Sequence, residues 1–281
     1  MINELIDQFI DIVIKEDIGD GDHSSQSCIP KTAQGKMFML VKEDGILAGV
    51  EVAKKIFSKI DADITVDIKI NDGSTIKVGD IVMNVSGSVW SLLQAERLVL
   101  NVMQRMSGIA TRTAEYVARL EGTKTNVLDT RKTTPAMRYL EKEAVRLGGG
   151  VNHRMGLYDM VMLKDNHIDF AGGIEKAVEQ VKAYLKEKNK DLKIEVEVRD
   201  WKELEEVIRV GGIHRIMLDN FSVEETKKAV AFIDGRYETE SSGGITIDTL
   251  REYAECGVDY ISVGALTHHI KSLDLSLKAM D

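Results

Sequence analysis

The chain has 281 residues, 43% of them apolar and 30% charged, as in a globular protein of one large domain or two unequal ones. Its 46 acidic and 37 basic side chains give a formal net charge of −9, which argues against general binding to nucleic acid or acidic membranes. No run of residues approaches the roughly 18 apolar positions that a membrane span needs, so we predict a soluble, cytoplasmic protein.

The N-terminal segment predicts an amphipathic helix. Its apolar residues recur at the spacing of one helix face, and the acids that begin at Glu4 do not suit a signal peptide. The stripe is made of Ile2, Leu5, Ile6, Phe9, Ile10, Val13 and Ile14. Gly19 and Gly21 in "EDIGDGDHSS" end the helix.

Residues 36–87 predict short antiparallel strands and turns, with one helix near residues 50–60. In "VDIKINDGSTIKV", for example, apolar and polar residues alternate on both sides of an Asn-Asp-Gly turn. No catalytic motif is visible here, so a structural or dimer-forming role is favoured. A long helix is predicted over residues 90–120, with a break at Ser107 and Gly108, and we place a domain boundary near residue 110.

After Gly122 strands and helices alternate. The candidate strands are "TNVLDT", "YDMVMLK", "KIEVEV", "HRIMLD", "RYETES" and "DYISVGA". Repeated βα units predict a parallel sheet, and six units in this length favour a closed or nearly closed barrel. A doubly wound open sheet is the alternative, although "LDTRKT" lacks the glycine-rich fingerprint expected after its first strand.

The carboxyl ends of the predicted strands carry charged or glycine-rich sequences, and active sites of parallel barrels lie at those ends. Arg131, Arg154 and Lys164, with His153 as a further donor, suit a small ligand that has more than one carboxylate. Glu197 and Asp219 suit Mg²⁺, and the glycines that follow the late strands suit a phosphate monoester. These features together indicate group transfer from a phosphorylated sugar.

Other chemistries are less well supported. A Schiff base on Lys164 is the main mechanistic alternative. The adjacent His268 and His269 do not suit zinc, because neighbouring side chains diverge in a helix or strand. Cys28 and Cys256 lack a CxxC spacing and are expected to be free thiols.

Long ordered blocks of the chain resemble the quinolinate phosphoribosyltransferase family, also called carboxylating nicotinate-nucleotide pyrophosphorylases. They include "TRKTTPAMR", "GGGVNHRMGLYDMVMLKDNHI", "EVEV", "IMLDNFS", "ESSGGI" and "VDYISVGALTHH". The resemblance implies an N-terminal α/β sandwich over residues 1–110 and an incomplete parallel α/β barrel over residues 111–281. A last helix would pack back on the N-terminal domain.

The resemblance also implies a reaction and its participants. Quinolinate and 5-phosphoribosyl 1-pyrophosphate would give nicotinate mononucleotide, pyrophosphate and CO₂ in de novo NAD synthesis, with Mg²⁺, in a homodimer or larger homo-oligomer. Lys132, Glu197 and Asp219 would act in catalysis, and the two acids would hold the metal. Substrate-binding positions would be Arg105 from the partner subunit, Thr130, Arg131, Lys132, His153, Arg154, Lys164, Glu197, Asp219, Ser241, Ser242, Gly243, Ser262, Val263 and Gly264.

Two alternatives stay open at this point. One is a pyrophosphorylase-like paralogue of molybdenum-transport loci, with the same fold and another substrate. The cations Arg131, Arg154 and Lys164, together with His153, argue against it, since a substrate without two carboxylates would not need them all. The other is a catalytically silent binding or structural barrel, which would be expected to have lost part of this set.

Overall fold

In the computed structural model, which describes residues 2–280, the two halves of the chain differ in how helices and strands follow one another. The first half contains α1 (Ile2–Ile18), α2 (His23–Cys28), β1 (Gln34–Val41), β2 (Gly45–Ile46), α3 (Val50–Ile60), β3 (Thr65–Ile68), β4 (Thr75–Ile76), β5 (Ile81–Ser88) and α4 (Val89–Arg119). The second half contains β6 (Asn126–Leu128), α5 (Arg138–Leu147), β7 (Val161–Leu163), α6 (Asp165–Ala171), α7 (Ile174–Glu187), β8 (Ile194–Val198), α8 (Trp201–Val210), β9 (Arg215–Asp219), α9 (Val223–Ile233), β10 (Glu238–Ser242), α10 (Leu250–Glu255), β11 (Tyr260–Ser262), α11 (Ala265–His268) and β12 (Leu275–Ala279).

The chain divides into two compact units. The first unit comprises the residues up to Ala114, the segment Thr133–Gly149 and the stretch from Leu266 onward. The second comprises Glu115–Lys132 and Gly150–Ala265. The predicted N-terminal helix is present as α1, and the predicted helix near residues 50–60 is α3. None of the helices within residues 2–280 combines the length and the apolar character needed to cross a membrane.

The first unit is built on a four-stranded antiparallel sheet in the order β12-β1-β5-β3. The resemblance implies a closing helix, and the structure has the strand β12 instead. The physical reason is the pattern of the terminal segment: Leu273, Leu275 and Leu277 are buried and alternate with polar residues, which is the period of a strand.

Helix α4 runs without interruption through Ser107 and Gly108, where the sequence predicts a break. A Cβ at Gly108 would lie 2.2 Å from the carbonyl oxygen of Lys271. The glycine therefore allows another backbone segment of the first unit to approach closely. Helix α4 continues through Gly108 despite the low helix propensity of glycine.

The second unit contains six parallel strands in the order β6-β11-β10-β9-β8-β7, which confirms the predicted strands and the incomplete barrel. Strands that are consecutive along the chain from β7 to β11 are neighbours in the sheet. A doubly wound sheet would reverse its order at a switch point, so that alternative is wrong. Ile194, Val196 and Val198 on β8 pack into the apolar core with α7 and α8.

Polar residues occupy the opposite face of these strands. On β8, Glu195 and Glu197 alternate with the core residues, and both are buried. The strand register aligns Glu195 with Arg215 on β9, and Arg215 with Glu238 on β10. Because residues in register on neighbouring strands point to the same side, the strands surround a polar interior that leads to their carboxyl ends.

Candidate active site

A cavity of about 350 Å³ lies at the carboxyl ends of the strands of the second unit. Residues from the segment after β6, the loop before β7 and the carboxyl ends of β7, β9, β10 and β11 converge on it. It is lined by Thr130, Arg131, Lys132, His153, Arg154, Met162, Lys164, Met217, Glu240, Ser242 and Ser262. Eight of these are residues that the resemblance assigns to substrate binding, so one cavity collects cations, hydroxyls and an imidazole from distant parts of the sequence.

The segment after β6 supplies Thr130, Arg131 and Lys132. Arg131 and Lys132 are exposed, and the backbone N–H of Lys132 donates to the Thr130 hydroxyl at 3.0 Å. The residue before them, Asp129, is fully buried, and its carboxylate accepts a hydrogen bond of 2.8 Å from the backbone N–H of His153. Asp129 therefore ties the two cation-bearing segments of the cavity together.

Arg154 is a half-buried cation that stands near another cation. Its Nη1 donates to the carbonyl of Met160 at 3.2 Å. Burial, and after it the like charge of Arg131, lowers the pKa of the Arg154 guanidinium, while Glu195 and Asp159 act in the opposite direction. An arginine starts from so high a pKa that it stays charged at neutral pH. Two guanidinium groups thus face one small cavity. A bound anion would relieve the electrostatic repulsion between them.

Lys164 follows the carboxyl end of β7 and forms an ion pair with Glu197 of the neighbouring strand β8. The Lys164 side chain is partly exposed, whereas Glu197 is almost fully buried. An ammonium group held by a carboxylate is not the neutral amine that a Schiff base requires. The pair therefore favours anion binding by Lys164 over the Schiff-base alternative.

His153 lies at the inner side of the cavity and is buried. Its Nε2 is 2.9 Å from Oε2 of Glu195 and 3.4 Å from Oε2 of Glu240. Burial by itself would lower the pKa of His153, but the hydrogen bonds and charges of the two acids outweigh it and raise the pKa to about 9. Burial, together with the charge of Glu240, raises the pKa of Glu195 to about 7. Burial acts to raise the pKa of Glu240 too, but His153 and Arg215 lower it overall.

The remaining acidic and small residues of the predicted site lie at the ends of β8 to β11. Asp219 ends β9 and accepts a hydrogen bond of 2.7 Å from the side chain of Asn220. Glu197 and Asp219 do not line the cavity itself. The same holds for Ser241, which is buried, and for Gly243, Val263 and Gly264 in the loops after β10 and β11.

Gly243 occupies a position that only glycine suits. Its φ is +99°, and a Cβ there would lie 2.2 Å from the side-chain oxygen of Asn220. Asn220 itself adopts a positive φ of 57°, and its backbone N–H donates to the carbonyl of Ser242 at 2.9 Å. The turns after β9 and β10 therefore pack backbone against backbone at the carboxyl ends of the strands.

Arg105 belongs to the first unit, on α4. Its guanidinium is held within its own chain: Nε donates to Glu141 at 2.7 Å, and Nη2 donates to the Thr134 hydroxyl at 2.8 Å and to the carbonyl of Thr267 at 3.1 Å. Glu141 is fully buried, and about a quarter of the Arg105 side chain is exposed (26%). The predicted role of Arg105 in the site of a partner subunit stays a prediction.

Sequence reasoning did not single out Asp129, Arg215 or Glu240. For Glu240 a signal was present, because Glu238 and Glu240 in "YETES" alternate as Glu195 and Glu197 do in "KIEVEV". Nothing local marks Asp129 as a buried acid. The aliphatic side chains of Met162 and Met217, which also line the cavity, carry no chemical signal in a sequence.

Comparison with known proteins agrees with this geometry. The sequence-family model named quinolinate phosphoribosyl transferase, C-terminal domain, matches residues 109–278. The family model of the N-terminal domain matches residues 22–107. This chain belongs to the quinolinate phosphoribosyltransferase family. The match covers the whole of the cavity.

Individual relatives support the same assignment. The chloroplastic nicotinate-nucleotide pyrophosphorylase (carboxylating) of Arabidopsis thaliana is 44% identical over 284 residues, which cover 96% of this chain and 81% of the relative. The mitochondrial quinolinate phosphoribosyltransferase (decarboxylating) 2 of Nicotiana glauca is 42% identical over 286 residues, which cover 96% of this chain and 81% of the relative. The nicotinate-nucleotide pyrophosphorylase structure from Francisella tularensis superposes with a TM-score of 0.93 at 38% identity and covers 99% of this chain and 97% of that chain.

Proposed function

We infer that this chain transfers the phosphoribosyl group of 5-phosphoribosyl 1-pyrophosphate to quinolinate and releases CO₂. The products are nicotinate mononucleotide and pyrophosphate, in a step of NAD synthesis. The observation that carries this inference is the convergence of Arg131, Arg154 and Lys164 on one small cavity. The names of the curated relatives favour this reaction over that of a molybdenum-locus paralogue.

The arrangement of the cations suits two neighbouring carboxylates. Arg131 and Arg154 can each bind a carboxylate through two parallel N–H donors, and Lys164 adds a third charge from another strand end. A cavity of about 350 Å³ is at the small end of the range for ligand sites and suits a single substituted ring. Nicotinate, which has one carboxylate, would leave part of this positive charge without a partner.

The reaction needs no general base from the protein. The pyridine nitrogen of quinolinate has a lone pair and no proton to lose, so it attacks C1 of the ribose directly while the bond from C1 to pyrophosphate breaks. Positive charge develops on the ribose in the transition state. Glu197 and Asp219, at the ends of β8 and β9, would stabilise that charge.

The later events follow from the charge of the product ring. Once the nitrogen carries the ribose it is a pyridinium, whose positive charge stabilises the electron pair left on the adjacent ring carbon when its carboxylate leaves as CO₂. A proton from solvent then bonds to that carbon and completes the product. Lys132, an exposed cation at the mouth of the cavity, would neutralise the departing pyrophosphate. Ser242, Gly243, Val263 and Gly264, with Ser241 and Ser262 beside them, would surround the 5′-phosphate through hydroxyl and backbone N–H groups.

Mg²⁺ is the proposed metal. The donors offered by Glu197 and Asp219 are carboxylate oxygens, which are the ligand type that Mg²⁺ prefers, and two of them fit an ion that is bound chiefly through substrate phosphates. Asp219 is partly exposed at its strand end, so an ion can reach it. Such an ion would supply positive charge to the pyrophosphate leaving group.

The working form is proposed to be a homodimer or a larger homo-oligomer with shared active sites. Support comes from an apolar surface beside β7, which is an edge strand of the sheet in the described residues. A second cavity there is lined by Leu157, Phe170 and Tyr184 among others, and Phe170 is 92% exposed. A second copy of the chain would cover these side chains, and Arg105 of that copy is the proposed additional cation.

The cytoplasm is the proposed location. Cys28 and Cys256 are free, which suits a reducing compartment. The compared plant relatives carry chloroplastic and mitochondrial names, so the compartment differs among members of the family.

One incubation tests the proposed reaction. Purified protein is mixed with quinolinate, 5-phosphoribosyl 1-pyrophosphate and Mg²⁺, and the mononucleotide, pyrophosphate and CO₂ are quantified. Equal amounts of the three products, and their loss when EDTA removes the metal, are expected. Consumption of phosphoribosyl pyrophosphate without formation of the mononucleotide would overturn the proposal.

A further inference from the structure

A buried polar network lies beneath the cavity, and the reaction described above does not use most of it. It joins His153, Glu195, Arg215 and Glu240, which come from the loop before β7 and from β8, β9 and β10. His153 Nε2 is 2.9 Å from Glu195, and Nη1 of Arg215 donates to Glu240 at 3.1 Å. None of the four residues is more than 8% exposed. Two carboxylates in such a place require compensating positive charge or protons.

Arg215 supplies part of that charge and is itself firmly held. Its guanidinium also donates to Glu238 at 3.1 and 3.2 Å, and it stacks over the ring of Tyr260 at 4.1 Å from the centroid. The ligand atoms of His153, Glu195 and Glu240 lie within 4.8 Å of one another, a spacing that a metal ion can use. A metal there would stand beside the Arg215 cation, so the charge balance of His153 and Arg215 with the two acids explains the cluster better.

The His153 ring lies between the two acids and Arg154, which lines the cavity. Its Nδ1 is 2.6 Å from the backbone nitrogen of Arg154, which donates to it when the ring is neutral. A neutral ring carries its proton on Nε2, toward Glu195; in the charged ring, which the two acids favour, both nitrogens carry protons and Nδ1 packs against the Arg154 backbone without that hydrogen bond. Since Asp129 also holds the backbone N–H of His153, both the ring and the main chain are fixed just before Arg154.

We propose that Glu195 and Glu240 are positioning residues for the dicarboxylate substrate, acting through His153 on Arg154. Glu195 does not line the cavity, and Glu240, which does, is held by His153 and Arg215. The effect of the two acids is to hold the backbone of Arg154 in one place, so that its guanidinium is oriented before quinolinate arrives and less ordering is needed on binding. The inference rests on the proposed function, because it concerns the quinolinate half of that site.

The proposal predicts a selective defect. Glu195→Gln and Glu240→Gln keep the shape of each side chain and remove its charge. Each should weaken quinolinate binding by roughly 10- to 100-fold, as expected when a binding group is misplaced by about 1 Å. The KM for 5-phosphoribosyl 1-pyrophosphate should change by less than about threefold, because its proposed contacts lie on other strand ends and loops.

Glu238→Gln is the matched control. Glu238 lies on the same strand as Glu240 and contacts the same Arg215, but its hydrogen bonds are with that arginine and with Lys193, and not with His153. It should leave quinolinate affinity unchanged. Glu195→Asp retains the charge and shortens the reach to His153, so an intermediate loss is expected. This variant also keeps the test available if Glu195→Gln does not fold.

The experiment measures the dissociation constant of quinolinate by calorimetry for each variant, the KM of both substrates, and the fold by circular dichroism. Folded glutamine variants that lose quinolinate affinity, beside an unchanged Glu238→Gln, would support the proposal. Unchanged affinity in folded Glu195→Gln and Glu240→Gln, or equal losses for both substrates, would overturn it. Failure of the unmodified protein to bind quinolinate would instead overturn the proposed function.

Discussion

Lys164 and Glu197 form an ion pair across the carboxyl ends of the adjacent strands β7 and β8. The carboxylate is the buried partner, and the lysine lines the cavity. The ammonium group is therefore held in place before any substrate is present, and Glu197 stands directly behind the predicted quinolinate site. One pair thus connects the residue expected to bind the acceptor with a residue expected to stabilise the ribose.

Replacing Lys164 tests this connection. Lys164→Ala removes a predicted carboxylate contact and leaves Glu197 buried without its cation. The loss of one charge-assisted contact, about 1.5–3 kcal/mol, should lower kcat/KM for quinolinate by about 10- to 150-fold. Lys193→Ala is the control, because Lys193 pairs with Glu238 at the opposite ends of β8 and β10. Equal activity of the two variants in steady-state kinetics would show that Lys164 does not contribute to quinolinate binding.

Arg154 provides a test of carboxylate geometry. Arg154→Ala should weaken kcat/KM for quinolinate by about 10- to 150-fold through loss of a charge-assisted contact. Arg154→Lys keeps the positive charge but not the planar fork, so it should recover only part of the loss. Full recovery by lysine in the same kinetic measurement would show that charge alone matters at this position.

Alanine substitutions at two neighbouring glycines distinguish the effect of backbone strain from that of a steric clash. Gly243 and Gly244 both have positive φ, at 99° and 63°, but a Cβ at Gly243 would meet Asn220 while one at Gly244 has nothing within 4 Å. Gly243→Ala should therefore displace the turn and raise the KM for 5-phosphoribosyl 1-pyrophosphate more than Gly244→Ala does. A larger effect from Gly244→Ala would mean that strain, and not the contact with Asn220, governs this turn.

The packing of Gly108 predicts that alanine at this position destabilises the protein, which is the opposite of what helix propensity predicts. Glycine to alanine within a helix normally stabilises it by about 1 kcal/mol. Because a Cβ at Gly108 would lie 2.2 Å from the Lys271 carbonyl, Gly108→Ala should instead destabilise the protein, by about 1–3 kcal/mol. Urea unfolding measures the difference, with Asn101→Ala on the exposed face of the same helix as control. Stabilisation by both variants would contradict the close contact.

The fold was largely predictable because its strands and helices have regular apolar patterns. The five residues of β8, for instance, place valines and isoleucine on one face and two acids on the other. Local patterns could not show that Gly108 packs against a backbone segment more than 150 positions away, so the sequence predicts a break where α4 continues. The strand β12 was missed because its partner, β1, lies at the other end of the chain.

The cations of the site were predictable as well, since strand ends of a parallel barrel meet at one rim. The buried partners were not. His153 lines the cavity, so its expected contact with a substrate stays a prediction, and its Nε2 also faces Glu195 and Glu240. Such a contact depends on the side-to-side order of β8, β9 and β10, which a single sequence does not specify.

Subunit mixing tests the proposed sharing of active sites. Arg105→Ala and Lys164→Ala should each lower kcat/KM for quinolinate at least about tenfold when assembled with themselves. After exchange of subunits, mixed dimers would contain one site with both side chains intact, so activity should return to about a quarter of the unmodified level at equal mixing. Absence of recovery, with exchange demonstrated by native mass spectrometry, would count against a contribution from Arg105 of the partner.

The most direct measurement compares quinolinate with nicotinate as acceptor, each with 5-phosphoribosyl 1-pyrophosphate and Mg²⁺, by chromatography of the mononucleotide and pyrophosphate. A cavity that collects Arg131, Arg154 and Lys164 is built for two carboxylates. Nicotinate mononucleotide should therefore form from quinolinate and not from nicotinate. Product from nicotinate alone, or from neither acid, would contradict the central claim that these cations bind the dicarboxylate acceptor.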